Sequence, residues 1–320
     1  MKINNVFYLL LFISLSSCFD EETNMLTDEA QNYLSEILDI MEQNSINKQT
    51  INWSNFRTQV LDRAAGAQTI QETFPAIREA LVLLGDNHSS YTHQDGRFLF
   101  AGTLQCELQD IVAPSIPSNI GYVTVNSFGG SSSSNEAITY AEEIQNQIMN
   151  QDNQDILGWI VDLRNNGGGN MYPMIAGSGS LIGEGIAGYF IGPDNTQNSW
   201  GFSNNASTVN GNPVTQLTNS IELKTPNPKV VVLLNNGIAS SGEVMAISFI
   251  GRENTKSFGK STCGLSTANS GFTLSDNSKL NLTVAFLADR NKNLFGIPIN
   301  PDLEVGNEDI IQNAIEWIEN

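Results

Sequence analysis

Two glycine-containing turns in this chain bring together the residue types that acyl transfer requires. The first turn follows the apolar run 159–163 and contains three consecutive glycines at 167–169, and the second follows the apolar run 230–234 and leads to Ser240 and Ser241. Each turn joins a short apolar run, typical of a buried parallel strand, to a helix-like segment. Glycine amides could hold an oxyanion, and a serine hydroxyl at a helix N-terminus lies where the helix dipole favours negative charge. The pattern indicates a serine hydrolase.

Both turns also have a purely structural interpretation. Ser240 and Glu243 have the spacing of a capping box, in which the serine and glutamate side chains satisfy free amides at a helix start. The glycines at 167–169 could form only a tight turn, or a cradle for some other anion. The acyl-transfer interpretation therefore depends on a third residue, a histidine far upstream.

The chain contains two histidines, so a serine–histidine mechanism must use one of them as its base. His88 follows a predicted helix over residues 69–84, which begins with a capping box at Thr69, carries an apolar face and ends at Gly85. His88 is thus expected to be held against a rigid element. The structural alternative is a surface histidine favoured by the dipole at a helix end. His93 has the neighbours of a loop residue, so His88 is the candidate base.

Four segments follow one another in the order found in the tail-specific, or C-terminal processing, serine proteases. They are Asp-Leu-Arg-Asn-Asn-Gly-Gly-Gly at 162–169, Ala-Ser-Ser-Gly-Glu at 239–243, Gly-Lys-Ser-Thr-Cys-Gly at 259–264 and Gly-Ile-Pro-Ile-Asn-Pro-Asp at 296–302. The chain resembles this family over roughly residues 115–305. The resemblance implies that Ser240 is the nucleophile. It also implies that the amide of Ser241 and an amide of the Gly167 to Gly168 turn form the oxyanion hole.

Within this family, the chain is more similar to the branch that uses a histidine base. The other branch has a catalytic lysine shortly after a Thr-x-Gly motif, but here Leu265 follows that motif and Lys260 precedes it. No PDZ insertion is evident before the predicted strand at 120–125. Asp86-Asn87-His88 is similar to the Asp-x-His motif of the branch that includes the tricorn core protease and the retinoid-binding repeat proteins. This resemblance implies that His88 is the base.

The group that orients the His88 ring stays open. The tricorn relay uses a serine directly before the histidine and a glutamate before the final Pro-Asp, and this chain has Asn87 and Phe295 at those positions. Asp86, Asn87 and Ser89 are all candidates for fixing the tautomer of the imidazole.

Three functions are consistent with these residues. The first is a serine endopeptidase that acts on a peptide or protein and needs no metal or other cofactor. The second is a catalytically inactive family member that binds a peptide or an apolar ligand in the same cleft, because some members of the family bind ligands without proteolysis. The third is a crotonase-like enzyme that acts on an acyl thioester, which rests only on the shared fold and a backbone oxyanion hole. Predicted export argues against a coenzyme A substrate.

The first residues predict a bacterial lipoprotein. Lys2 precedes a short apolar stretch at 6–15, and Leu-Ser-Ser-Cys at 15–18 resembles a lipobox. We therefore predict a signal peptide at residues 1–17, lipidation of Cys18 and an acidic tether at 18–25, because the apolar stretch is short for a membrane span. Acidic residues after the cysteine resemble those of surface-exported lipoproteins. This predicts a cell-envelope lipoprotein that its lipid anchor holds at the outer membrane, on either face.

The remaining sequence predicts an α/β fold with an N-terminal helical bundle. Residues 26–95 have helical periodicity and form the bundle, and residues 96–320 alternate strand-like and helix-like segments, as an α/β catalytic domain does. By resemblance, this domain has a ClpP/crotonase-like spiral core. Segment 192–226 is rich in Asn, Ser, Thr, Gly and Pro and is predicted to be irregular.

Composition excludes several other functions. The chain has 34 acidic residues against 15 lysines and arginines, a net charge of -19, so it offers no basic surface for a nucleic acid. Gly-Lys-Ser at 259–261 is not a P-loop, because Asn254 stands where that motif needs a glycine. The sequence has no His/Cys cluster with metal-ligand spacing.

Cys106 and Cys263 could form a disulfide or remain buried thiols. The sequence leaves the oligomeric state open.

Overall fold

The computed structural model describes residues 25–320, which form an α/β structure. The helices are α1 (Asp28–Asn44), α2 (Trp53–Arg63), α3 (Phe74–Leu84), α4 (Asn135–Met149), α5 (Met171–Ile182), α6 (Ser241–Phe249) and α7 (Ile310–Glu319). The strands are β1 (Ser90–Thr92), β2 (Phe98–Phe100), β3 (Ile120–Thr124), β4 (Gly158–Asp162), β5 (Gly185–Ile191), β6 (Gln197–Ser203), β7 (Ala206–Val209), β8 (Asn212–Gln216), β9 (Lys229–Leu234), β10 (Thr255–Gly259), β11 (Thr267–Thr273), β12 (Lys279–Asp289) and β13 (Leu303–Glu304).

The predicted signal peptide, the lipidation site Cys18 and the tether up to residue 24 lie outside the described residues. Within residues 25–320, none of the helices is both long enough and apolar enough to cross a membrane.

A five-stranded parallel sheet with the order β13-β10-β9-β4-β3 forms the centre of the molecule. Helices α4, α5 and α6 pack on one of its faces and α7 packs on the other. Because both faces are covered, strands β4 and β9 are almost continuously apolar, as the sequence shows. The predicted α/β fold class is confirmed.

The sheet order explains why the two glycine-containing turns meet. Strands β4 and β9 are parallel neighbours, with Asp162 opposite Leu233 near their carboxyl ends. The turns that follow these strands therefore leave the sheet side by side, at the edge where ligands bind in open α/β sheets.

Helices α1 to α3 form the N-terminal helical region. Thr27 caps α1 by accepting a hydrogen bond from the Ala30 amide, and the predicted apolar face of α1 is buried. The third helix begins later than the sequence predicts, because residues 71–73 form a 3₁₀ turn and α3 starts at Phe74. Pro75, which lacks an amide hydrogen, fits this first helical turn. Gly85 ends α3 in the left-handed conformation, as predicted.

Segment 192–226 is not an irregular excursion, contrary to the prediction. It contains β6, β7 and β8, which extend an antiparallel sheet of order β2-β1-β12-β5-β6-β7-β8, with β11 also paired to β12. The Asn-rich composition belongs to tight turns between these strands, where Asn204, Asn205, Asn210 and Gly211 have positive φ. Such residues form the primed turns that join antiparallel strands.

The antiparallel sheet also fixes the position of the loop that carries His88. Strand β1 begins two residues after His88 and pairs with β12, with Ser90 opposite Asn281. Leu280 and Leu282 of β12 pack into the core of the helical region. The His88 loop is thereby brought beside β11, far from it in sequence. Between α3 and β3 the chain forms only the two three-residue strands β1 and β2 and an irregular segment.

Candidate active site

The first glycine-containing turn is built by the Asp-Leu-Arg-Asn-Asn motif. Asp162 and Arg164 form a buried bidentate ion pair, with Nε to Oδ1 at 2.9 Å and Nη2 to Oδ2 at 2.6 Å. Asn166 is fully buried, and its Nδ2 donates to the Val125 carbonyl at 2.9 Å. These side chains bend the backbone into a fixed turn and hold the following glycines beside the second turn.

The second turn is tied to the first by hydrogen bonds between asparagines. The Asn165 amide donates to Asn235 Oδ1 at 2.9 Å, and Asn235 Nδ2 donates to Asn165 Oδ1 at 2.9 Å. The Ala239 amide donates to the Asn166 carbonyl at 3.0 Å. Since Asn235 is fully buried, these bonds are shielded from water and fix the spacing of the two turns.

Ser240 has a strained backbone conformation directly before α6. Its φ of 54° and ψ of -120° are unfavourable for a residue with a Cβ atom. Ser240 and Glu243 form the capping box that their spacing predicts, and the Ser240 amide donates to the Glu243 carboxyl at 3.1 Å. The Glu243 amide also donates to the Ser240 carbonyl oxygen, at 2.8 Å. Ser240 thus begins α6 in a strained conformation.

The Glu243 carboxyl holds the backbone of the strained Ser240. Its fully buried carboxyl accepts a hydrogen bond from the Ser240 amide at 3.1 Å, from the Thr262 hydroxyl at 2.6 Å and from the Gly264 amide at 2.9 Å. Burial raises the pKa of Glu243 to about 7, although these hydrogen bonds to Thr262, Gly264 and Ser240 oppose the shift. The sequence suggested Glu243 only as a capping residue and gave no signal for its bonds to 262–264.

Two amides beside Ser240 are free to bind an oxyanion. Neither the Ser241 amide nor the Gly169 amide has an acceptor within residues 25–320, and both residues line the cavity that contains Ser240. The Gly168 amide, one of those expected from the sequence, donates to Asn166 Oδ1 at 3.0 Å. Gly168 supports the site in another way, because a Cβ there would lie 2.9 Å from the Ser240 Cβ and the Ser241 nitrogen. Gly167 does not line the cavity.

His88 is oriented by a residue that sequence reasoning missed. Its Nδ1 lies 2.8 Å from Thr267 Oγ1 at the start of β11, and its carbonyl accepts a hydrogen bond from Asn269 Nδ2 at 3.1 Å. When Nδ1 carries the proton and donates to Thr267, Nε2 is free to accept one. Burial lowers the pKa of His88, while the charge of Asp86 opposes this. The ring is therefore neutral at neutral pH, as a base must be.

None of the three predicted orienting residues contacts the His88 ring through a hydrogen bond. Asp86 accepts hydrogen bonds from the backbone amides of His88 at 2.9 Å and Ser89 at 2.7 Å, so it shapes the loop. Asn87 accepts from Thr103, and the Ser89 hydroxyl donates to Asp86 Oδ2 at 2.6 Å. The His88 ring contacts Thr267 of β11, while Asp86 and Asn87 hold the backbone of the loop. No local sequence pattern marks Thr267 for this role.

Ser240 and His88 line the same cavity, which has a volume of about 870 Å³. Within residues 25–320 no hydrogen bond joins the two side chains. Ser241, Gly169 and Thr267 line this cavity too. In the described part of the chain no group of three or more His, Cys, Asp or Glu side chains is placed to hold a metal ion. The arrangement supplies a nucleophile, a base and two amide donors around one space, which are the parts that acyl transfer needs.

One wall of the cavity comes from the helical region and the opposite wall from the antiparallel sheet. Lys48, after α1, and Asp194, in the turn between β5 and β6, form an ion pair at 3.6 Å across it. Apolar side chains of Phe190, Val244 and Leu287 also line the space. The cleft is thus bounded on several sides and offers both apolar and polar surface.

Sequence comparison relates the chain to known peptidases. A profile of Peptidase family S41 matches residues 119–305. The nisin-resistance protein of Lactococcus lactis subsp. lactis is 28% identical over 292 residues, which cover 90% of this chain and 86% of that protein. The carboxyl-terminal-processing protease of Synechocystis sp. is 27% identical over 197 residues, which cover 61% of this chain but only 40% of that protein.

Solved structures show the same architecture. A lipoprotein from Streptococcus agalactiae has a TM-score of 0.72 and 25% identity, covering 92% of this chain and 98% of that one. The photosystem II D1 C-terminal processing protease has a TM-score of 0.55 and 15% identity, covering 90% of this chain and 98% of that one, and it shares the fold.

The family match includes both glycine-containing turns and the segments up to β13, and it spans more than half of the chain. The resemblance to the tail-specific serine proteases is therefore confirmed. The chain belongs to peptidase family S41.

Proposed function

We propose that this protein is an active serine peptidase that hydrolyses a peptide bond through an acyl-enzyme. The observation that carries the proposal is the strained Ser240, which lines a cavity with the neutral His88. Strained backbone conformations collect at active sites, where the surrounding structure maintains them for function. Membership of a peptidase family implies a peptide or protein substrate.

In the first half of the reaction, Ser240 becomes acylated. Nε2 of His88 takes the proton of the Ser240 hydroxyl while Thr267 holds Nδ1. The serine oxygen attacks the carbonyl carbon of the substrate, and the resulting oxyanion accepts hydrogen bonds from the Ser241 and Gly169 amides. The protonated His88 then gives its proton to the leaving amine as the carbon–nitrogen bond breaks.

In the second half, water releases the acyl group. His88 removes a proton from a water molecule, which attacks the ester carbonyl, and the same two amides hold the second oxyanion. Collapse of this intermediate breaks the ester bond and returns the proton to Ser240. The products are a peptide with a new carboxyl terminus and a peptide with a new amino terminus.

The second candidate is an inactive family member that binds a peptide in the same cleft. The observation that favours it is that His88 hydrogen-bonds Thr267, while no hydrogen bond joins it to Ser240 within residues 25–320. In ligand-free active sites, however, catalytic hydrogen bonds are often long and tighten when substrate binds.

A serine-reactive fluorophosphonate probe separates the two candidates. We expect the purified wild type to be labelled and both Ser240→Ala and His88→Ala to lose labelling, since the first lacks the nucleophile and the second its base. Ser270→Ala is the matched control, because Ser270 lines the same cavity without a catalytic role in this mechanism. A folded wild type that resists the probe would favour the inactive protein.

We further propose that the protein is attached to the cell envelope, at the outer membrane, through a lipid on Cys18. The lipobox-like segment supports this, as does the similarity to a streptococcal lipoprotein. Metabolic labelling with an alkyne fatty acid should tag the wild type and not Cys18→Ala, and fractionation should move the variant out of the membrane pellet. Equal labelling of both proteins would contradict this attachment.

The similarity to a nisin-resistance protein suggests a first substrate to test. We propose that nisin-like antibacterial peptides are cleaved. Mass spectrometry of nisin incubated with the wild type should show two fragments whose masses sum to nisin plus one water, and Ser240→Ala should leave the peptide intact. Cleavage of unrelated peptides but not of nisin would retain the peptidase and reject this substrate class.

A further inference from the structure

An irregular segment contacts the His88 loop and both glycine-containing turns. Residues 101–117, which we call the strap, lie between β2 and β3 and have no regular secondary structure. Much of the strap is exposed, with Leu108 and Val112 at 74% and 85%. It therefore buries little apolar surface, and specific polar contacts must hold it in place.

The strap first contacts the loop that carries the candidate base. The amide and the hydroxyl of Thr103 both donate to Asn87 Oδ1, at 2.9 Å and 3.1 Å. A Cβ on Gly102 would lie 2.4 Å from the Asn87 carbonyl oxygen, so the two backbones are in close contact. Asn87 directly precedes His88, and the strap thus supports the His88 loop.

Further along, the strap joins the two catalytic turns. The Glu107 amide donates to Asn236 Oδ1 at 2.9 Å in the second turn. The Gln109 amide donates to Asn165 Oδ1 at 3.1 Å in the first turn, and Asn165 Nδ2 donates back to the Gln109 carbonyl at 2.7 Å. The Gln109 side-chain oxygen also accepts from Asn235 Nδ2 at 3.3 Å. One residue of the strap therefore holds both turns.

A disulfide fastens the strap to the residues that hold the nucleophile. Cys106 is bonded to Cys263, with their Cα atoms 5.1 Å apart. Cys263 lies between Thr262 and Gly264, the two residues that donate hydrogen bonds to the Glu243 carboxyl. Glu243 in turn accepts the hydrogen bond from the Ser240 amide. A short chain of contacts thus leads from the disulfide to the strained serine.

We propose that the strap, fastened by the Cys106–Cys263 disulfide, is a positioning element that keeps Ser240, His88 and the oxyanion amides in register. This inference rests on the proposed peptidase function. None of the strap residues lines the cavity, so the strap acts on the reactivity of Ser240 and not on the binding of substrate. Small misplacements of catalytic groups by distant changes are known to slow reactions strongly.

Reduction of the disulfide tests the proposal. Dithiothreitol transfers two electrons and two protons to the disulfide, giving two thiols and oxidised reductant, and iodoacetamide then blocks the thiols. We expect the maximal rate of fluorophosphonate labelling of Ser240 to fall about tenfold or more, while the probe concentration for half-maximal rate stays unchanged. Near-ultraviolet circular dichroism verifies that the reduced protein keeps its packed core.

A second test uses strap variants that keep the disulfide, so that its result does not depend on whether reduction unfolds the protein. Gln109→Ala removes the hydrogen bonds that Gln109 Oε1 accepts from Asn235 and from Asn307, and it should lower the maximal labelling rate several-fold. Asp110→Ala is the matched control, because the neighbouring Asp110 side chain hydrogen-bonds no catalytic loop within residues 25–320. Unchanged rates in both the reduced protein and Gln109→Ala would overturn the proposal, as would a change in half-saturation alone.

Hydrogen exchange makes the test independent of activity. Amides in 165–169, 236–241 and 262–264 should exchange faster after reduction, while amides of β4 and β9 keep their protection. If the oxidised protein is never labelled by the probe, the peptidase proposal fails, yet the exchange comparison still reports whether the strap orders the loops. Equal exchange in both redox states would reject the strap's role by itself.

Discussion

Ser240, the proposed nucleophile, has a backbone conformation that any side chain disfavours. Its φ of 54° is maintained by the hydrogen bond from the Ser240 amide to the Glu243 carboxyl and by the close packing of Gly168 against the Ser240 Cβ. The strain costs about 1–3 kcal/mol, which the surrounding hydrogen bonds must offset.

We predict that Ser240→Gly is more stable than Ser240→Ala by about 1 kcal/mol, because glycine relieves the strain and loses part of that gain to backbone entropy. Both variants lack the nucleophile, so the comparison isolates the backbone. Urea unfolding of the two proteins measures the difference. An alanine variant as stable as the glycine variant would show that the backbone of Ser240 is not strained.

Thr267 provides a second residue-scale prediction. Thr267→Ala should slow acylation of Ser240 by about ten- to a hundredfold, since the His88 ring loses the group that holds Nδ1. Thr267→Ser keeps the hydroxyl and should retain most of the activity. If alanine and serine variants react alike, the hydroxyl does not orient the ring.

The pH dependence of acylation follows from the environment of His88. Burial lowers the pKa of His88 below its usual 6.5, and only the neutral ring can accept a proton. The labelling rate should therefore rise with pH through that lowered pKa, with its midpoint below 6.5. A rate profile with its midpoint above 6.5 would contradict a buried, neutral base.

Glu243 links the site to the stability of the protein. Burial raises the pKa of Glu243 from 4.5 to about 7, so between these pH values the folded state binds more protons than the unfolded state. The free energy of unfolding contributed by this group therefore decreases as the pH rises through that window, by about 3 kcal/mol. Relative to Glu243→Gln, the wild type should lose stability from pH 4.5 to 7.5. Parallel unfolding free energies for the two proteins across this range would contradict the prediction.

At the scale of elements, tight turns mark the ends of the strands in segment 192–226. The hairpin between β7 and β8 turns through Asn210 and Gly211, both with positive φ. This asparagine–glycine pair is a strong hairpin signal, yet the polar composition around it indicated an irregular segment. The local turn chemistry was a better guide to structure than the average composition.

A pair of glycine substitutions tests this interpretation. Gly211→Ala should destabilise the protein by about 1 kcal/mol, because alanine disfavours a φ of 78°. Gly271→Ala in β11 is the control, since its Cβ would also enter open space but without a positive φ. Thermal unfolding of both variants provides the comparison, and equal effects would indicate that the turn does not set the cost.

At one edge of the parallel sheet, side chains take the place of a neighbouring strand. Strand β3 is an edge strand, and its free backbone groups bond Gln147 of α4 and Gln151, which follows the end of α4. Gln151 accepts from the Tyr122 amide at 2.9 Å and donates to the Tyr122 carbonyl at 2.7 Å, and Gln147 accepts from the Thr124 amide at 3.0 Å. These side chains occupy the positions a further strand would take, which protects the edge from pairing with another chain.

At the scale of the whole molecule, a net charge of -19 sets how charged peptides approach. We predict that kcat/KM for a cationic peptide falls as salt is raised, while that for an acidic peptide of equal length rises, because screening weakens attraction and repulsion alike. Steady-state rates with the two peptides across a salt series check this. Identical salt dependence for both would show that the global charge does not act at the cleft.

The sequence by itself determined the family, the α/β class, the helices of the N-terminal part and the two glycine-containing turns, because each depends on local periodicity or on motifs of adjacent residues. Ser240 and His88 were identified in the same way and line one cavity. The start of α3 and the strands in 192–226 were missed where turn geometry outweighed composition.

Only the tertiary structure decided which groups surround the two reactive side chains. Thr267 reaches His88 across 179 positions, and Cys106 and Cys263 are joined across 157. Asn166 accepts from the Gly168 amide, whereas the Gly169 amide has no acceptor in the described part of the chain. Such partners are chosen by the pairing of strands and the packing of loops. No spacing along the chain encodes them, because the distance between two residues in a folded protein depends on every element between them.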